Sequence, residues 1–170
     1  MEFCDLNRSI SEILFAITPL NDFSCPCSAK PSCDCSVFCA IAEGRSDASL
    51  VHEDDQVVAF LDLNPVTRGH LLVVPRTHAV GFEDLDQDLG AHVWSVGHDL
   101  ARALRRSSLP CEGINVLVCD GAVAFQTVFH FHLHVIPRSA GDGWTIVPNT
   151  VERERSLLDA DAAAVREALR

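Results

Sequence analysis

Apolar and polar positions change period several times along this chain, and the changes mark its elements. Leu6, Ile10, Ile13, Leu14 and Ile17 recur at helical spacing, with Ser9 and Glu12 placed as a capping box, so residues 6–20 read as a short amphipathic helix. Pro, Ser and Cys then crowd residues 21–36, the composition of a loop or linker. From Val37 the pattern tightens. Val51–His52 and Val57–Leu61 are strand candidates across the polar turn EDDQ, and His70–Pro75, HLLVVP, is a third behind the turn-forming DLNPVTRG. Leu89, Val93, Val96, Leu100 and Leu104 put a helix over residues 86–106.

Ile114–Cys119 reads as a further strand, joined by the loop DGAVAFQ to residues 128–137, VFHFHLHVIP. There His130, His132 and His134 alternate with Phe129, Phe131, Leu133 and Val135. In a strand this spacing sets three imidazoles on one face, about 7 Å apart, and the apolar side chains on the other. Leu158, Val165 and Leu169 space a last helix over about residues 157–169. Strands in antiparallel order around one principal helix make an α+β domain. Residues 1–34 read as an N-terminal appendage with scope for disorder, 35–150 as the folded domain, and 151–170 as a helical tail.

Composition narrows the class. At 170 residues, 48% hydrophobic and 22% charged, the chain suits one globular domain that needs no disulfides to hold its core. No apolar run approaches the roughly 18 residues of a membrane span, and ILFAI is short for a signal peptide. The expectation is a cytoplasmic protein with no membrane partner. A net charge of −11 argues against long nucleic acids, which are bound chiefly through clustered Lys and Arg. A small phosphate ester stays within reach, because a few local donors can hold one anionic group. Five of the eight cysteines fall within residues 25–39, and without a secretory signal they suggest metal binding or reduced thiols before a disulfide framework.

Three imidazoles on one face suit phosphoryl chemistry. A neutral imidazole attacks phosphorus without a separate base, and its neighbours fix the tautomer and stabilise charge on the phosphoryl oxygens. The residues QTVFHFHLHVIPR, with DLNPVTRGHLLVVPRTHA and FCAIAEG upstream, resemble the histidine triad (HIT) superfamily of nucleotide hydrolases and transferases over roughly residues 35–140. The resemblance implies an antiparallel sheet of about five strands with one main helix, and a homodimer whose sheets join edge to edge. It implies hydrolysis of a nucleoside 5′-phosphoester or phosphoramidate bond in a small-molecule nucleotide, a nucleoside phosphoramidate or a dinucleoside polyphosphate, through a covalent His132–nucleotide intermediate and with no cofactor required for the chemistry. A nucleotidyltransferase or phosphorylase using phosphate or a sugar phosphate as acceptor is one alternative, and a non-catalytic nucleotide-binding or zinc-stabilised module another.

By the same resemblance His132 is the nucleophile, His134 a donor to phosphate oxygens, His130 an orienting residue and His70 a fourth histidine beside the triad. Gln126 and Thr127 match positions that hold phosphate oxygens and the leaving group, and Asp62 a ribose contact. On the residues alone, Asp62 equally caps the DLNP turn, Gln126 and Thr127 equally enter a strand, and His70 equally sits satisfied in a core. Family members commonly carry Asn and Gly where this chain has Cys119 and Phe125. Related zinc-binding branches imply a structural zinc on Cys35, Cys39, His78 and His130, with Cys25, Cys27 or Cys33 as substitutes for Cys35. The regular partner of Cys39, three residues earlier, is Ser36, and the thiols are equally suited to apolar burial.

Overall fold

Two uninterrupted apolar stretches form the centre of a five-stranded sheet. In the computed structural model, which describes residues 36–170, β2 (Val57–Leu61) and β3 (Leu71–Pro75) are buried almost throughout, as strands covered on both faces are. The remaining strands are β1 (Leu50–Glu53), β4 (Gly113–Val118) and β5 (Leu133–Arg138), and the sheet runs β1-β2-β3-β5-β4 with every neighbouring pair antiparallel. The helix expected over residues 6–20, its linker, and Cys25, Cys27, Cys33 and Cys35 lie outside the described residues.

The alternation along each strand divides two cores. Val57, Ala59, Leu71, Val73, Leu133 and Val135 face Val93, Val96, Leu100 and Leu104 of α2 (Gln87–Arg106). Asp86 caps α2 through its carboxylate, and Arg105 and Arg106 sit in the last turn where the helix dipole favours cations. A Cβ at Gly97 would run into the Leu133 side chain, so glycine permits the close approach of α2 to β5. On the other face Val58, Phe60, Leu72 and Val74 pack against Phe38 and Ala42 of α1 (Val37–Ala42).

Periodicity does not disclose α1, whose six residues span fewer than two turns. Its start is written in Ser36, whose side chain accepts from the Cys39 amide. Its end is held by Arg76, which donates to the carbonyls of Ala42 and Asp54 and reaches Glu53. The histidine segment needs a correction: β5 begins only at Leu133, so His134 alone of the three lies in the strand. His130 and His132 are in the approach to it, where the His130 amide turns back to the Val128 carbonyl and the Phe131 amide donates to Ala79.

The described chain divides after Ala140. Residues Gly141–Arg170 form a separate unit with one helix, α3 (Arg155–Ala168), close to the expected span, and Arg153 pairs with Asp161 at 2.9 Å. No helix of the described residues is long and apolar enough to cross a membrane.

Candidate active site and metal centre

Two clusters of imidazole share the face of the sheet that α1 covers. The first is a relay from Asp62 through His70 to His134. His70, just before β3, places Nε2 2.9 Å from His134 Nδ1, and His134 stands opposite Leu72 in the β3–β5 register. At the other end of the His70 ring, Nδ1 faces Asp62 Oδ2 and the amide of Val66, each at 3.4 Å. Asp62 Oδ2 favours a proton on Nδ1 and the Val66 N–H favours a lone pair there, so the direction of the hydrogen bond between His70 Nε2 and His134 Nδ1 follows the His70 tautomer. Asp62 also does what the turn chemistry suggested, accepting from the Asn64 amide at 2.8 Å through Oδ1.

His132 stands beside this relay, its ring centroid 4.7 Å from that of His134. Its Nδ1 is 2.7 Å from the backbone carbonyl of His130. A carbonyl only accepts, so Nδ1 carries the proton and Nε2 keeps its lone pair. Phe38 of α1 meets the His132 ring edge-on at 5.1 Å and the Phe60 ring at 5.5 Å. The face read from the sequence as free for chemistry is therefore mostly enclosed: His130, His70 and His132 are 0%, 3% and 5% exposed.

Enclosure sets the protonation states. Burial lowers His132 below the ordinary imidazole value, against the opposing influence of the His130 carbonyl and Asp62. Burial, with the neighbouring His132 and His70, brings His134 down to about 3. For His70 desolvation again outweighs the carboxylate of Asp62, and the shift is downward. All three rings are neutral at pH 7 in this enclosure, as an attacking nitrogen must be.

His130 turns the other way. Its Nε2–H donates to the Pro75 carbonyl at 2.9 Å, which leaves the Nδ1 lone pair aimed at Cys39 Sγ, 3.3 Å away. His78 Nδ1 approaches the same sulfur at 3.2 Å, and the three ligand atoms lie within 4.8 Å of one another. Tetrahedral zinc with ordinary bond lengths sets sulfur and nitrogen about 3.6 Å apart, a few tenths wider than these contacts. The His130 tautomer is the one a metal ligand needs, with its second nitrogen held by a backbone carbonyl. Cys39, His78 and His130 thus fit zinc, whereas Cys35 lies outside the described residues. Ser36 Oγ donates to Cys39 Sγ at 3.2 Å, a neighbour the cysteine spacing alone did not suggest.

The loop before the triad departs from expectation at Gln126. Its side chain is buried and committed to the protein: Oε1 accepts from the Gly121 amide at 2.8 Å, and Nε2 donates to the carbonyls of Val80 and Val128 at 2.7 and 3.2 Å. The amide braces the loop and is not displayed to a phosphate. Thr127, by contrast, is exposed. Cys119, half-buried at the loop's start, has its thiol pushed up by burial and is no ready nucleophile. His52 and His92, which no motif claimed, both reach Asp54 Oδ2, at 3.0 and 2.8 Å.

Comparison with known proteins agrees with this geometry. A family model, HIT domain, matches residues 43–141. An uncharacterized HIT-like protein of Mycobacterium tuberculosis is 39% identical over 133 residues, covering 78% of this chain and 92% of that one. The crystal structure of a Zn-bound histidine triad family protein from Mycobacterium smegmatis is 42% identical, with a TM-score of 0.61 over 78% of this chain and 96% of that one. The histidine triad nucleotide-binding protein of Candida albicans is 26% identical, with a TM-score of 0.71 over 79% and 96%. Triad, sheet order and matched length converge, and the chain belongs to the HIT family.

Proposed function

We propose that this chain hydrolyses a nucleoside 5′-phosphoester or phosphoramidate, passing through a covalent nucleotide on His132. The observation that carries the reading is the hydrogen bond from His132 Nδ1–H to the His130 carbonyl, which fixes a lone pair on Nε2. That nitrogen forms a bond to the α-phosphorus as the bond to the leaving group breaks, and the leaving group takes a proton from solvent water as it departs. Water then attacks the phosphorus, giving a proton back to solvent as the P–N bond to His132 breaks, and the nucleoside monophosphate leaves a neutral His132 behind. His134, in the tautomer that carries its proton on Nε2, donates to the phosphoryl oxygens as charge grows on them. Asp62 faces His70 Nδ1, and its remaining lone pairs are available to a ribose hydroxyl. Thr127, exposed on the same loop, would contact a phosphate oxygen or the leaving group.

Cys39, His78 and His130 would hold a zinc ion. When bound, the metal supplies cross-linking of α1 to the segment that carries His132, and no part of the reaction. The nucleotide-binding neighbour in Candida albicans and the zinc-bound one in Mycobacterium smegmatis favour both halves of this reading. A homodimer through the β4 edge accords with the apolar cavity lined by Phe82, Trp94 and Val118 beside it; Trp94→Glu then gives a monomer in sedimentation, and an unchanged mass contradicts that pairing. The chemistry is tested with an adenosine 5′-phosphoramidate: His132→Ala abolishes turnover with the fold intact. Undiminished turnover in that variant removes the mechanism.

A further inference from the structure

The loop from Asp62 to His70 carries two members of the relay, and most of it is open to solvent. Leu63, Asn64, Pro65, Val66 and Arg68 are exposed, so burial does not hold its shape. Its neck is closed by the Asp62 amide, which donates to the His70 carbonyl at 2.9 Å, and its last turn by the His70 amide, which donates to the Thr67 carbonyl at 3.1 Å. Those bonds are internal to the loop. The side chain of Thr67 reaches out of it: Oγ1–H donates to the carbonyl of Pro137 in β5 at 2.7 Å.

The place of that bond follows from where the strands part. The β3–β5 register pairs Val73 with Leu133, Leu72 with His134 and Leu71 with Val135, and Pro137 lies beyond it with no N–H of its own. A hydroxyl therefore continues the link where the backbone ladder has ended. The loop also lies close there, since a Cβ on Gly69, whose φ is 93°, would come within 3.3 Å of the Pro137 ring and 2.9 Å of the Leu109 side chain. Val66, the residue before Thr67, holds its amide 3.4 Å from His70 Nδ1, the same distance as Asp62 Oδ2. A donor and an acceptor thus face one nitrogen. Both contacts are long for a hydrogen bond, so a small displacement of the loop decides which one closes.

We infer that Thr67 is a positioning residue for the reaction: through its bond to Pro137 it keeps the Val66 amide on His70 Nδ1, which places the His70 proton on Nε2 and leaves the proton of His134 on its own Nε2 for the phosphoryl group. The inference rests on the hydrolytic reading above for its effect on turnover, and adds a residue that acts through His70. Without the Thr67 bond the loop yields Nδ1 to Asp62, and the His70 Nε2 lone pair then accepts from His134 Nδ1–H. His134 Nε2 is left with a lone pair and nothing to donate, so it opposes the charge growing on the phosphoryl oxygens.

The test compares wild type with Thr67→Val, which keeps the branched shape and removes the donor, Thr67→Ala, which removes it without filling the space, and Thr67→Ser, which restores it. On an adenosine 5′-phosphoramidate the Val and Ala variants lose about threefold to tenfold in kcat, the size of one hydrogen bond, with KM nearly unchanged, and Thr67→Ser recovers most of the loss. Nitrogen NMR of the imidazoles at pH 7 reads the tautomers without substrate. Wild type shows His70 and His134 each protonated on Nε2, and the Val and Ala variants move the His70 proton toward Nδ1. A wild-type His70 protonated on Nδ1, or tautomers in both variants unchanged from wild type, overturns the inference. Wild-type protein that leaves the phosphoramidate intact overturns the hydrolytic reading instead, and the spectra still decide the role of Thr67.

Discussion

The ring of His132 is held by the backbone of His130, through an Nδ1–H···O contact of 2.7 Å. His130 is in turn held by Pro75, through Nε2–H, and faces Cys39 with its other nitrogen. One triad histidine thus serves as the frame for another. The division follows from opposite ring orientations, not from spacing, since all three residues alternate identically in the sequence.

Because the frame includes a potential metal ligand, zinc should stabilise the protein. At a free zinc concentration 100-fold above its dissociation constant the gain is about 2.7 kcal/mol, and the unfolding temperature rises with zinc. Cys39→Ser and His78→Ala abolish that dependence. Thermal unfolding of chelated and zinc-loaded samples checks it, and a wild-type Tm indifferent to zinc contradicts the assignment.

Acid should unfold the metal-free protein through its buried imidazoles. The ordinary value for His134 is 6.5 and burial with its neighbours lowers it to about 3, so the unfolded chain binds this proton first as pH falls. The contribution is fully present above pH 6.5 and is lost progressively toward pH 3. Between pH 7 and 5 it amounts to on the order of 1–2 kcal/mol. Urea denaturation at both pH values should give a smaller pH effect in His134→Asn than in wild type; equal slopes count against a neutral buried His134.

Gln126 separates a bracing role from a phosphate-holding one. Gln126→Ala strands the Gly121 amide and the Val80 carbonyl and costs about 1–3 kcal/mol of stability. Gln126→Glu still accepts from Gly121 but cannot donate to Val80, so it restores only part of the loss. Equilibrium denaturation of both variants decides the matter. A full loss of turnover at unchanged stability would return Gln126 to the phosphate.

Much of this architecture is legible in the residues. The apolar runs of β2 and β3, the stripe of α2 and the Phe131–Leu133–Val135 face each announce burial through their own periodicity. The cover over the histidine face is not legible in that way. Alternation tells which side chains share a face, but not what packs on it, and the six residues of α1 are too few to show a period. Hence Phe38 against His132 escaped notice, as did the approach of Ser36 to Cys39. The burial of Gln126 is hidden for a related reason: spacing gives no sign that the fold encloses a polar residue beside the triad. The His70 and His134 pairing spans 64 residues, and only the β3–β5 register brings it together.

The central claim is that His132 Nε2 is the attacking atom. Intact-protein mass spectrometry after brief exposure to an adenosine 5′-phosphoramidate, followed by peptide mapping, reads it directly. A single adenylyl adduct on His132, absent from His132→Ala, is the predicted result. An adduct on another residue, or wild-type turnover with no adduct at any time of quenching, would contradict the account.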